Sequence, residues 1–260
     1  MPQQKPVVPE LSLQALPGFP MVAEGDDLVH LISDSLSASK MALCDGDIVV
    51  IAQKIVSKVE GRMVDLRDVV PSASAVALAE ECGKDARIVE LILSEAVAIV
   101  RHKEGVIIAR NRQGLVLANA GIDASNVPQQ GNSENVLLLP KDPDGSAERI
   151  RFGLEAVGAA RIAVIITDSL GRAWREGTLG TAIGVSGLSA LLDLRGDLDL
   201  YGRELKVSQI GLADACAAAA EILMGEGDQA QPVVLLRGVA MPGTGSARDL
   251  IRPKELDLFR

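Results

Sequence analysis

The chain has 260 residues, 48% of them hydrophobic and 23% charged, with 26 Lys and Arg against 35 Asp and Glu for a formal net charge of −9. These values belong to a folded globular chain long enough for a sizeable core, and they exclude the disordered and low-complexity classes. The acidic balance and the scarcity of aromatics (3 Phe, 1 Tyr, 1 Trp) argue against a nucleic-acid platform or a binder of anionic membranes.

Residues 26–38 place Leu28, Ile32 and Leu36 on one helical face, with Asp26 and Asp27 at its positive end. Gly46–Ala52 is a continuous apolar run and predicts a buried strand. Residues 72–98 predict two helical stretches broken near Gly83-Lys84-Asp85, and residues 98–109 a hairpin turning near Lys103-Glu104-Gly105. A strand over Leu115–Asn119 runs into a loop over 120–126, and the polar stretch 127–134 is a loop or lid. Val136–Leu139 predicts a short strand and Pro143–Gly158 a helix. Arg161–Thr167 is the clearest buried strand and ends at Asp168, after which Ser169–Gly187 is rich in Gly and polar residues. Residues 206–210 predict a strand, Asp214–Met224 an Ala-rich helix capped by Gly225, and Pro232–Leu236 the last core strand. From Met241 on the chain reads as a loosely ordered tail, and the pattern as a whole predicts an α+β fold of mixed sheets with helices in one domain over 1–260. No apolar run spans a bilayer and Met1–Glu10 lacks a signal core, so the expectation is a soluble, cytoplasmic protein.

The chemistry is bounded first by absences. Cys44, Cys82 and Cys216 are isolated and only two His are present, so neither a zinc site nor a disulfide framework is expected. A metal here would be a hard, oxygen-bound ion such as Mg2+ or Mn2+. No P-loop exists, and Gly243-Thr-Gly-Ser-Ala-Arg248 lacks the third Gly of a dinucleotide fingerprint. Lys54 and Lys58 follow the first buried strand at a spacing that sets two ammoniums on one helix face, suited either to a polyphosphate or to solvent. Asp123 lies among small residues after a strand end, either a cation ligand or the centre of an Asx-turn. Asp168 ends an apolar strand, and Ser169, Arg172, Trp174 and Arg175 follow within eight residues, a cluster that points to catalysis. Glu226, between two glycines past a helix end, is a weaker candidate. With no Ser–His or Cys–His pair indicated, this inventory suits metal-assisted phosphoryl transfer.

Five segments together resemble one family, the coenzyme F-420-0:L-glutamate (γ-glutamyl) ligases. They are Gly18–Asp27 (GFPMVAEGDD), Gly46–Arg62 (GDIVVIAQKIVSKVEGR), Ala118–Val127 (ANAGIDASNV), Thr167–Gly177 (TDSLGRAWREG) and Met224–Gly227 (MGEG). The resemblance implies GTP-dependent addition of L-glutamate to a deazaflavin precursor, first by an amide and then by a γ-linked glutamate. It implies two divalent cations, an accessory potassium ion and a homodimer of two-part α+β protomers. By position, Phe19, Pro20, Met21 and Val22 would contact GTP, as would Gln53, Lys54, Lys58 and Asn126. So would the loop of Met224, Gly225, Glu226, Gly227, Asp228, Gln229, Ala230 and Gln231. Asp123 and Asp168 would hold one cation, Ser169 and Glu226 the other. Ser169 replaces the more frequent Thr but keeps the hydroxyl, and Ala215 stands where many members have Glu. Two other readings remain open: the same ligation on another carboxylate, or a nucleotide-binding regulator without turnover.

Overall fold

The computed structural model describes residues 10–129, 131–241 and 243–258. In chain order the strands are β1 (Ser12–Ala15), β2 (Ile48–Ala52), β3 (Met63–Asp65), β4 (Ala96–Lys103), β5 (Val106–Asn111), β6 (Val116–Ala118), β7 (Asn135–Leu137), β8 (Ala163–Arg172), β9 (Arg175–Ser186), β10 (Leu191–Asp193), β11 (Gln209–Gly211) and β12 (Val233–Arg237). The α-helices are α1 (Leu28–Ala38), α2 (Gln53–Val59), α3 (Ala73–Cys82), α4 (Ala86–Glu95), α5 (Pro143–Gly158) and α6 (Leu212–Met224). The fold is α+β. A mixed sheet in the order β1-β12-β2-β8-β9 carries the core, and smaller sheets β3-β7, β10-β11 and β4-β5-β6 surround it.

The central pair, β2 and β8, is parallel and in register from Ile48↔Ala163 to Ala52↔Thr167. Both strands are covered on both faces, which explains why each reads as an unbroken apolar run. Val49 and Ile51 pack with α1 and α5 on one side, and Ile48 and Val50 pack with α6 on the other. A third cluster joins α3 and α4 to β5. The fully buried Asp47 at the entry to β2 is clamped by Arg237 at the end of β12, with Nε–Oδ1 at 2.6 Å and Nη2–Oδ2 at 2.7 Å.

Helix limits follow local chemistry. The Asp27 side chain accepts from the Val29 and His30 amides and starts α1, and Asp142 caps α5 ahead of Pro143. Gly83 ends α3 in the left-handed region, so the break expected there is real. No described helix is long and apolar enough to cross a membrane.

Three expectations change. The strand expected to end at Asp168 does not end there: β8 continues through Ser169 to Arg172 and pairs with β9 in a long antiparallel hairpin that takes up most of the Gly-rich stretch 169–187. Its glycines admit the helices. A Cβ at Gly184 would sit 2.4 Å from the Pro143 carbonyl oxygen of α5, and one at Gly180 would sit 2.5 Å from the Ala217 carbonyl oxygen of α6. The segment after Met241 is also ordered over its described part. Ser246 and Asp249 form a capping box, Ala247 is buried, and its amide bonds Asp144 Oδ1 at 2.8 Å. The strand expected over 206–210 is the shorter β11, and β1, β3 and β10 carry too few apolar residues to stand out in sequence. Residues 1–9, where a signal core was sought, lie outside the described residues.

Because the approach of α5 leaves no room beside β9, Gly184→Ala should destabilise the protein by about 1–3 kcal/mol through overpacking. Urea unfolding checks this, and an unchanged midpoint would contradict the close approach.

Candidate active site

The parallel pairing of β2 with β8 sets the end of β2 level with Thr167 in β8. Gln53 and Lys54 open α2 directly after β2, and Asp168 and Ser169 continue β8 directly after Thr167. A cavity of about 500 Å³ lies over this point. Its floor is Gln53, Lys54, Asp168 and Ser169. One wall is Asp123, Asn126, Val127 and Pro128, and the other is Glu221 with the loop after α6. Phe19, Pro20, Met21 and Val22 form an apolar side. Phe19 is anchored in the core and Met21 stands exposed on the rim.

The basic and acidic groups hold one another. Lys54 Nζ lies 2.7 Å from Asp123 Oδ2 and 2.6 Å from Ser125 Oγ. Asp123 also accepts from the Ser125 amide at 2.8 Å, so the Asx-turn and the cavity-facing carboxylate are both present. The Asp123 backbone is fixed by two hydrogen bonds to Leu137 at the end of β7. Burial opposes ionisation of Asp123, but hydrogen bonds from Lys54 and Ser125 outweigh it and keep its carboxyl below the ordinary value. Lys58 Nζ donates to the Asn126 carbonyl at 2.8 Å, and the Asn126 side chain donates to the Gly227 carbonyl at 3.2 Å across the cavity mouth. Burial, then the charge on Lys54, lowers the Lys58 pKa, the condition that an entering anion relieves.

Asp168 is the most perturbed carboxylate of the site. Burial pushes its pKa up to about 6, against the amide of Ser169, the charge on Lys54 and a hydrogen bond from Gln53. The Gln53 side chain is almost wholly buried, accepts from Ser57 Oγ at 2.9 Å and donates to Asp168, so it orients that carboxylate. Glu226 is raised by burial, with Ser169 donating to it and the Glu221 carboxyl pressed against it.

Of the residues singled out in sequence, Phe19 to Val22, Gln53, Lys54, Lys58, Asp123, Asn126, Asp168 and Ser169 line the cavity. So do Met224 to Asp228, Ala230 and Gln231. Gln229 does not. It accepts from the Gly227 amide at 2.9 Å and shapes the loop from behind. Arg172 and Arg175 pair with each other across the hairpin tip, outside the cavity lining, and Arg172 bonds the Thr178 and Glu176 carbonyls. Glu221 was missed. Its sequence signal is an acid seven residues after Asp214, so that the two carboxylates share one face of an otherwise Ala-rich helix. The carboxylates and the Ser169 hydroxyl are hard oxygen donors of the kind that Mg2+ and Mn2+ take. They stand as two pairs, Asp123 with Asp168 and Glu221 with Glu226, and no three His, Cys, Asp or Glu converge on one point among the described residues. An ion held by Asp123 and Asp168, or by Ser169 and Glu226, would complete its shell with water or ligand oxygens.

The family model described as F420-0:Gamma-glutamyl ligase matches residues 18–238. The chain belongs to this family. The γ-glutamyl ligase relatives include a protein named coenzyme F420:L-glutamate ligase from Methanothermobacter thermautotrophicus, 44% identical over 96% of this chain and 99% of the relative. A protein of the same name from Methanocaldococcus jannaschii is 48% identical over 83% of this chain and 85% of its own length. Another from Methanopyrus kandleri is 44% identical over 97% and 99%. Every cavity-lining residue of this chain lies inside the matched span.

In chelator-treated protein, the raised pKa of Asp168 has a stability consequence. The unfolded carboxyl releases its proton near pH 4 and the folded one near 6, so folding loses stability across that window and stays penalised above it. Asp168→Asn should therefore raise stability at pH 8 by about 3 kcal/mol and give almost no gain at pH 4. Thermal melts at the two pH values check this, and equal shifts at both would contradict it.

Proposed function

We propose that this chain is a GTP-dependent ligase that adds L-glutamate to the deazaflavin precursor of coenzyme F-420, first through an amide and then through a γ-linked glutamate. The observation that carries the reading is one cavity in which two lysines and two carboxylate pairs face each other, in a chain that matches the γ-glutamyl ligases along most of its length.

Lys54 and Lys58 bind the triphosphate, exchanging their present partners, Asp123, Ser125 and the Asn126 carbonyl, for phosphate oxygens. Asn126 and the 224–231 loop, already joined across the mouth, close on the nucleoside, with Phe19 to Val22 as its apolar bed. Asp123 with Asp168, and Ser169 with Glu226, would hold two divalent cations, Mg2+ or Mn2+, whose charge would offset that of the triphosphate and the acceptor carboxylate. Gln53 keeps Asp168 aimed at the cavity. With charge balanced, an oxygen of the acceptor carboxylate attacks the γ-phosphorus and GDP departs, leaving an acyl phosphate. The glutamate amine then attacks the acyl carbon, phosphate leaves, and the nitrogen gives up a proton to form the amide. The residues act by placement and charge stabilisation, which is where phosphoryl transfer draws its rate. Potassium is an accessory ion in this reading, and the working unit is a homodimer. No step within one protomer falls to Arg172 or Arg175.

Phosphate release from GTP should require acceptor and glutamate together. Lys58→Ala should weaken GTP binding about 10–100-fold, the worth of a charged hydrogen bond. Asp168→Asn should abolish metal-dependent turnover. Unchanged GTP affinity in the first variant, or full turnover in the second, would contradict the assignment.

A further inference from the structure

Glu221 is tied to the site in a way that its fold role does not explain. Its Oε2 accepts from the Gly180 amide at 2.5 Å. Gly180 lies on β9 directly opposite Ser169 on β8. The carboxyl of Glu221 also lies against that of Glu226, and Ser169 donates to Glu226. The contacts close a ring: Ser169, its ladder partner Gly180, Glu221, Glu226, and back to Ser169. The second oxygen of Glu221, Oε1, is buried with no hydrogen-bond partner among the described residues.

A neutral Gln would satisfy the Gly180 amide equally well through its amide oxygen. The full charge is therefore not needed for the anchor. It is also costly, because two carboxylates in contact repel and a buried lone oxygen forfeits its solvation. A positive ion at the cavity edge removes both costs. We propose that Glu221 is a positioning residue for the second divalent cation: it holds Glu226 against Ser169, ties both to the β8–β9 hairpin, and supplies the extra negative charge that sets the affinity of that site. The inference rests on the cation assignment of the proposed function and goes beyond it by adding a residue outside the ligand set.

The test is a Mn2+ titration followed by electron paramagnetic resonance, at fixed pH and without substrates, on the wild-type protein and on Glu221→Gln. Wild type should bind two ions per chain. Glu221→Gln should keep one with unchanged affinity and hold the other at least tenfold more weakly, while its melting temperature in chelator does not fall below the wild-type value, because Gln retains the Gly180 contact and removes the repulsion with Glu226. Turnover should need correspondingly more Mn2+ and recover to within about threefold of wild type at saturation. Glu221→Asp, which keeps the charge, should restore part of the lost affinity. Wild-type Mn2+ affinity at both sites in Glu221→Gln would overturn the role of Glu221 and leave the ligase reading intact. So would a loss of turnover that excess Mn2+ does not rescue. A wild-type protein binding fewer than two ions would overturn the cation assignment and this inference with it.

Discussion

The parallel pairing of β2 with β8 is the constraint on which the rest of the structure depends. The parallel register sets Ala52 opposite Thr167, so whatever follows these two residues is delivered to the same place. Here one strand leads into a helix bearing Lys54 and Lys58, and the other into a hairpin bearing Asp168 and Ser169. Residues more than 110 positions apart in sequence become neighbours with no further device. The remaining architecture serves that pair. Two hydrophobic clusters bury its faces, the Asp47–Arg237 clamp fixes the start of β2, and Gly180 and Gly184 let α6 and α5 press onto β9.

The site is balanced against itself. Lys54 neutralises Asp123, Lys58 rests on a carbonyl oxygen, and burial makes the charge on Asp168 costly. Each group is held in an arrangement that a phosphate or a cation would improve. This is the usual cost of a functional site: the residues that bind are the ones whose own environment leaves them short of partners. Glu221 fits the same pattern, with one oxygen bonded to the Gly180 amide and the other without a donor among the described residues.

Much of this was legible in the sequence, for physical reasons that differ by element. The strands buried on both faces, around Ile48–Ala52 and Ala163–Thr167, announce themselves by unbroken apolar runs, and α1, α3 and α5 by their caps. The cavity-lining residues were legible through five short motifs, because each follows a strand or helix end where side chains can converge. The β8–β9 hairpin was not, since the glycines that signal irregular backbone are there to admit α5 and α6, a requirement set by packing between distant segments. The hairpin also moved Arg172 and Arg175 away from the cavity, although their closeness to Asp168 in sequence had suggested the opposite. Glu221 went unseen because only the three-dimensional approach of α6 to β9 gives it a partner. Ala215 shows the converse: the position where a family Glu is absent faces solvent on α6, outside the cavity lining.

The most direct test is mass spectrometry of a complete reaction: purified protein, the deazaflavin precursor, L-glutamate, Mn2+ or Mg2+, and either GTP or ATP. The account predicts that product gains the mass of one or more glutamyl residues with GTP and gains nothing with ATP. An unmodified acceptor in the presence of GTP, from protein that still binds the nucleotide, would contradict it.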